Sequence, residues 1–363
     1  MLCKKMLLGG VVSFMLLACS QMFASCGKSE MSHDSGQNPD VTETDELSKE
    51  KYVVLLVAGQ SNAVGYDESK VTEEDIAMES ERICQLGYNG NDNLKIIPLG
   101  HCAQSFQNLS TPEFTNLENV KDPYGEFGPK TIHLPLAGLL MESGIIPDGY
   151  KLLVIPAAYG NTGFLKADGS YDFEKMVPSY VASGGWRTSG AQYLAMRDRL
   201  KYVLDLNTDN KYLGCVWIQG EADAVDPETH FSQFKKMVET FNSFFSQYDG
   251  RTLDGKGFSK DIWWNVRSTC YWTGDFSDTR GVPNTNKFIN ASGYNTILGN
   301  YELWNPGTFV TFESNEMDTN YVAPGSPGST RVSSIFCSHF GNSAYRTKVA
   351  PAILLKIKEH FAH

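Results

Sequence analysis

From residue 51 onward the chain alternates between short unbroken apolar runs and longer amphipathic stretches. The first run is Tyr52–Ala58, with the valines Val53, Val54 and Val57 among its residues. An apolar run of this length with no polar interruption reads as a strand buried on both faces, as in parallel sheets. Lys151–Pro156 and Leu213–Ile218 repeat the pattern, Asp261–Val266 and Thr308–Phe312 are further strand candidates, and Lys95–Leu99 is a short one. Between these runs the apolar spacing becomes helical. Lys130–Leu140 shows it, and Ala191–Leu206 places Tyr193, Met196, Leu200 and Val203 on one stripe. His230–Tyr248 lines up Phe231, Phe234, Met237, Val238, Phe241 and Phe245, a face that reads as core, and Ala344–Lys358 closes the chain as a helix despite Pro351. Strands alternating with helices imply a parallel sheet covered by helices on both sides.

The strong strands run directly into small and polar residues. Tyr52–Ala58 leads into Gly59-Gln60-Ser61-Asn62, and Lys151–Pro156 into Ala157-Ala158-Tyr159-Gly160-Asn161-Thr162-Gly163. Leu213–Ile218 leads into Gln219-Gly220-Glu221-Ala222-Asp223, and Asp261–Val266 into Arg267-Ser268-Thr269. Any one of these alone reads as a turn, with Ser61 or Asn62 as a helix cap. The carboxyl ends of parallel strands share one edge, so together the four clusters are expected to meet in one crevice.

The N-terminus has the layout of an export signal. Lys4 and Lys5 precede the apolar stretch Met6–Ala18, which is short for a bilayer span. The stretch ends in Leu16-Leu17-Ala18-Cys19, which resembles a bacterial lipobox with Cys19 as the lipidated residue; Phe23-Ala24-Ser25-Cys26 is a weaker second candidate. Residues 27–50 are polar and acidic, and 19–50 are expected to form a tether between signal (1–18) and folded domain (51–363). These features lead to an expectation of an exported lipoprotein, in the periplasm or at the cell surface, meeting a membrane only through the lipid. A net charge of −11 argues against nucleic acid as a partner. An apolar fraction of 41% allows a sizeable core. No zinc-type spacing, H-E-x-x-H or calcium-loop pattern occurs, so no structural or catalytic metal is expected. Of the cysteines beyond the tether (Cys84, Cys102, Cys215, Cys270, Cys337), Cys84 and Cys102 lie closest in sequence, and the odd number leaves at least one thiol free or paired elsewhere.

A serine at the strand edge is a nucleophile only if a base removes its proton, and histidine is the usual base near neutral pH. His339, in Cys337-Ser338-His339-Phe340-Gly341-Asn342 just before the last helix, is the best placed to return to that edge. An oxyanion formed there needs donors, each worth ~10²–10³ in rate. The Ser61 N–H, Gly128 in Gly125-Glu126-Phe127-Gly128-Pro129, and the Gln219 amide are available.

Gly59-Gln60-Ser61-Asn62 after the first strand, the Gly-Pro block, Trp217-Ile218-Gln219-Gly220-Glu221-Ala222-Asp223 and the late His-Phe-Gly together resemble the SGNH hydrolases. More narrowly they resemble the sialate O-acetylesterase and acetylxylan esterase branch (carbohydrate esterase family 6), from about Tyr52 to the C-terminus. The resemblance implies a flavodoxin-like α/β/α sandwich around a central parallel sheet. It implies removal of acetyl groups from a carbohydrate, with Ser61 as nucleophile, His339 as base, and Ser61, Gly128 and Gln219 as the oxyanion hole. Ala158-Tyr159-Gly160-Asn161-Thr162 resembles the family's Gly-Gly-Thr turn, with Asn161 in place of the second glycine. Gln60, Asn62, Gly160, Asn161, Trp186 and Arg187 are the candidates for touching the sugar.

One position departs from the pattern. The family's D-x-x-H has Phe336 where the aspartate stands. Either a backbone carbonyl orients His339, or a carboxylate such as Glu221, Glu313 or Asp318 does, or the site is a non-catalytic carbohydrate-binding relic. A lipase or arylesterase is the third functional class left open.

Overall fold

The computed structural model describes residues 49–65, 73–88, 90–101, 103–104, 130–160, 162–165, 185–274, 290–313 and 339–362. Cys19, Cys102, Gly128, Asn161, Asp318, Phe336, Cys337 and the signal segment 1–18 lie outside them.

Among the described residues one sheet contains β1 (Lys51–Gly59), β2 (Ile83–Leu86), β3 (Ile96–Pro98), β4 (Tyr150–Ala158), β5 (Lys211–Ile218), β6 (Trp263–Val266) and β7 (Phe309–Val310). Their order is β3-β2-β4-β1-β5-β6-β7. All neighbours are parallel except the β2–β3 edge pair. The run β4-β1-β5-β6-β7 is the 2-1-3-4-5 order of flavodoxin-like sheets, whose switch point lies between β1 and β5. The expected flavodoxin-like α/β class is therefore the one observed.

Register levels the strand ends. Gly59 pairs with Ala158 on one side and Ile218 on the other. Trp217 pairs with Asn265, and Val266 with Val310. The polar clusters after β1, β4, β5 and β6 thus leave the sheet at one height, along one rim.

The helices are α1 (Ser61–Val64), α2 (Glu73–Ala77), α3 (His133–Glu142), α4 (Ala191–Leu206), α5 (Pro227–Phe245), α6 (Cys270–Thr273), α7 (Ala291–Trp304), α8 (Asn342–Ala344) and α9 (Ala350–Phe361). Helices α3 and α9 pack together, α4 lies on β1 and β4, and α5 packs on α7. Val53 to Ala58 are fully buried, which requires cover on both faces of β1. The aromatic stripe of α5 is core: Phe234 meets Tyr301 and Trp217 at centroid distances of 4.7 and 5.6 Å, and Phe241 meets Trp263 at 5.2 Å.

Helix α4 spans the residues its periodicity predicts. Helix α5 starts three residues earlier than expected, because Asp226 caps it by accepting from the Thr229 N–H (3.0 Å) and Pro227 occupies the first turn. Pro351 is accommodated by a π-helical stretch, Tyr345–Val349, between α8 and α9. Such a stretch relieves the clash a proline ring makes with the preceding turn. Strand β2 and helix α7 were not legible from pattern. Cys84 is a buried thiol, free among the described residues, and burial pushes its pKa up to about 11; Cys102, its closest neighbour in sequence, lies outside those residues.

His133 opens α3 fully buried, and neither ring nitrogen has a partner. Burial holds its pKa down to about 3. An unfolded histidine titrates near ~6.5. Between those values the unfolded chain binds a proton that the folded chain refuses. Stability therefore falls on acidification below ~6.5, by up to ~1.4 kcal/mol per pH unit, and levels off near the folded value. Thermal melts should show His133→Leu losing less Tm than wild type between about pH 7 and about pH 5. Parallel losses in the two proteins would contradict this assignment.

Candidate active site

The turn after β1 is forced by a close approach. Gly59 has φ +133, and a Cβ there would lie 2.1 Å from the Ile218 carbonyl oxygen. No other residue fits that backbone. The Gln60 N–H donates to the Ile218 carbonyl (3.0 Å), and the Tyr159 N–H to the Gly59 carbonyl (3.1 Å). The ends of β4, β1 and β5 are thereby laced together, and Ser61 emerges between them as the first residue of α1. It is 6% exposed. Neither its N–H nor its hydroxyl bonds to a described residue.

Asn62 is completely buried and bonds to several loops at once. Its Nδ2 donates to Glu221 Oε1 (3.1 Å) and Ser268 Oγ (2.7 Å). Its Oδ1 accepts from the Phe340 N–H (3.2 Å), and its carbonyl accepts from the Tyr345 hydroxyl (3.0 Å). The orientation of the amide is fixed, since a backbone N–H only donates and an ionised carboxylate only accepts. The Phe340 bond sets the residue after His339 against the residue after Ser61. Phe340 is itself buried between Phe312 and Tyr345, with centroid distances of 5.7 and 5.6 Å. His339, the residue before Phe340, is half-buried.

Glu221 does not orient His339. Its Oε1 is taken by Asn62 and its Oε2 is buried without a hydrogen-bond partner. Burial pushes its carboxyl up, against the opposing pull of its own backbone N–H, Ser268 and Asn62. Glu313 has an exposed side chain after β7, and its carbonyl accepts from Lys348 Nζ (3.3 Å).

Gln219 was expected to offer its amide to an oxyanion. Both amide protons are already committed, to the Thr162 carbonyl (3.1 Å) and to Asp223 Oδ2 (3.0 Å). The Gln219 Oε1 is buried without a partner. Gln219 therefore ties the turn after β4 to Asp223 and presents no free N–H toward Ser61.

Asp223 was read only as part of a motif. It is the hub of this second layer. Oδ2 also accepts from the Phe164 N–H (2.9 Å) and from His230 Nδ1 (2.8 Å), and Oδ1 accepts from the Leu165 N–H (3.2 Å). His230 Nε2 lies 2.6 Å from the Tyr301 hydroxyl, which accepts from Trp217 Nε1 (3.1 Å). Burial alone would raise the Asp223 carboxyl. The bonds and charge of His230, with those from Phe164 and Gln219, outweigh it and hold the group below the usual carboxylate range.

Three of the expected sugar contacts are structural instead. Trp186 is 0% exposed, stands edge-on to Trp217 (4.9 Å), and donates from Nε1 to Thr162 Oγ1 (2.9 Å). It offers no face to a sugar. Gln60 is buried, with Oε1 accepting from the Ala222 N–H (3.2 Å), and Asn62 is spent as described. Gly160 is buried in the turn after β4. Arg187 remains half-exposed, with Nε donating to the Phe164 carbonyl (2.5 Å). Among the described residues no three His, Cys, Asp or Glu side chains gather as a metal site.

A serine with an uncommitted hydroxyl and N–H at the switch-point crevice, with a histidine loop fastened beside it, is the layout of SGNH-type esterases. The comparisons agree. The chain is 29% identical over 265 residues to the probable 9-O-acetyl-N-acetylneuraminic acid deacetylase of Escherichia coli (strain K12), covering 70% of this chain and 76% of that relative. The crystal structure of NanS superposes with a TM-score of 0.63 at 25% identity, over 86% of this chain and 98% of NanS. A protein from Arabidopsis thaliana shares the fold, with a TM-score of 0.52 at 10% identity over 86% of this chain and 99% of that one. No family model matches the chain. The likeness to that deacetylase thus extends over 70% of this chain.

Gly163 tests the second layer. A Cβ there would lie 2.2 Å from Asp223 Oδ1. Gly163→Ala must push aside a carboxylate that holds four donors, and is expected to cost ~1–3 kcal/mol in denaturant unfolding. A neutral substitution would mean that the turn is not held as described.

Proposed function

We propose that this chain is a carbohydrate O-acetylesterase of serine type. The Ser61 Oγ attacks the acetyl carbonyl while His339 accepts its proton. The negative charge on the carbonyl oxygen is held by the Ser61 N–H and by a second backbone donor, for which Gly128 is the candidate. The C–O bond to the sugar then breaks, and the sugar oxygen takes the proton from His339. Water, deprotonated by His339, cleaves the acetyl-enzyme to acetate and regenerates Ser61. No cofactor enters this scheme. Gln219 contributes by fixing the neighbouring turn rather than by donating to the oxyanion.

The observation that carries this reading is the Asn62 side chain. It fastens the segment after His339 to the segment after Ser61 while leaving the Ser61 hydroxyl and N–H unspent. The likeness to a relative whose name specifies 9-O-acetyl-N-acetylneuraminic acid favours an O-acetylated sialic acid over acetylated xylan as substrate. With Glu221 committed to Asn62, a Ser61–His339 dyad oriented by a backbone carbonyl is the arrangement we favour. The Leu16-Leu17-Ala18-Cys19 sequence supports export and lipid anchoring at Cys19.

Acetate release from O-acetylated sialic acid, from acetylated xylan and from long-chain esters tests the assignment. Acetylated sialic acid should be cleaved best, with activity lost in Ser61→Ala and His339→Ala by ~10⁴-fold or more. Asn62→Ala should lower kcat by ~10²-fold through misplacement of the two groups. Glycan binding without Ser61-dependent acetate release would make the protein a binder. A preference for long acyl chains would remove the carbohydrate from the proposal.

A further inference from the structure

The loop that carries His339 is held from a second side by a carboxylate outside every recognisable motif. Asp75 lies in α2, between residues that face solvent, yet it is 1% exposed. A buried carboxylate is costly unless paired and hydrogen-bonded. Asp75 Oδ1 accepts from Asn342 Nδ2 at 2.7 Å and lies 3.3 Å from Arg346 Nη1. Arg346 Nη1 also meets Glu74 Oε2 at 2.8 Å, so the guanidinium bridges two acids of α2. Asn342 is itself buried, at the start of α8.

Phe340 is thus pinned through its N–H to Asn62, and Asn342 through its side chain to Asp75. One hydrogen bond leaves a loop free to pivot; two, on alternate residues and from different elements, stop the pivot. His339 is the residue immediately before this doubly held segment. We infer that Asp75 is a positioning residue for His339, acting through Asn342, in a chain whose D-x-x-H position holds Phe336. Arg346 pairs with Asp75 across a 3.3 Å contact from Nη1 to Oδ1. The role rests on the Ser61–His339 reading above.

The full-length protein carries the test. Asp75→Ala and Asn342→Ala should each lower kcat by ~10–10²-fold with KM changed less than about threefold, and the double variant should lose little more than either single one. Asp75→Asn keeps an acceptor for Asn342 and should recover most of the rate. His360→Ala serves as the structural control. It removes the 2.8 Å contact with Asp254 near the far end of α9 and should lower Tm without changing kcat. If Asp75→Ala lowers only Tm, or the two single losses multiply in the double variant, the inference is wrong. If wild type shows no Ser61-dependent hydrolysis, the functional reading fails instead. Hydrogen exchange then decides the inference alone: amides of residues 340–345 should exchange faster in Asp75→Ala, and unchanged exchange overturns it.

Discussion

The Asn62 side chain is the interaction on which the site depends. One buried amide joins the loops after β1, β5 and β6 to the C-terminal segment, through Glu221, Ser268 and Phe340. Sheet order brings these segments near each other, and the Gly59–Ile218 contact brings the ends of β1 and β5 into van der Waals range. Neither fixes an angle. The amide does, because each of its polar atoms is buried and must be paired in one orientation. Losing one partner strands the others at ~1–3 kcal/mol per group. Segments far apart in sequence therefore lock or loosen together.

Beneath this knot lies the chain from Gln219 through Asp223 and His230 to Tyr301 and Trp217. Its members look catalytic by type, yet they are bonded mainly to one another and to backbone. Asp223 holds the turn after β4, and Gln219 couples that turn to the end of β5. In the Gln-Gly-Glu-Ala-Asp segment, Glu221 thus reaches Asn62, while Gln219 and Asp223 bond to each other and to the turn after β4. With most polar groups committed in this way, the uncommitted hydroxyl and N–H at Ser61 stand out. A rigid surround of this kind suits a reaction in which charge develops at one point, since donors already in place need not reorganise.

The parts legible in the sequence are those governed by local pattern. Strands β1, β4 and β5 are apolar enough to read as buried on both faces, and α4 follows its periodicity to the residue. The position of Ser61 at a strand end follows from these strands alone. What failed depended on distant partners. Helix α7 carries Gly293, Gly299 and the asparagines Asn295 and Asn300, a poor helical sequence, and it forms because Tyr294, Ile297, Leu298 and Tyr301 are buried against the rest of the fold. Trp186 beside Arg187 reads as a sugar platform, but only tertiary structure reveals that Trp217 covers it. Gln60 and Asn62 read as substrate contacts, but Asn62 meets partners 159, 206 and 278 residues away. No short-range pattern encodes such pairings.

These long-range pairings also bear on the missing aspartate. In a triad, the third residue orients the imidazole and stabilises its charge. Glu221 is a buried carboxylate beside the Ser61 turn, but its Oε1 is bonded to Asn62 and its Oε2 is buried without a hydrogen-bond partner. In the dyad proposed above, orientation comes through the backbone that carries His339. That backbone is fastened by Asn62, by the Tyr345 hydroxyl and by Asn342, and it continues into α8, the π-helical stretch and α9, which docks on α3, β6 and β7. On that reading, the histidine is placed by how the C-terminal segment from Phe340 to α9 seats itself on the sheet. A site built this way trades one local side chain for a distributed support, and its sensitivity to substitution extends to residues that never approach the substrate.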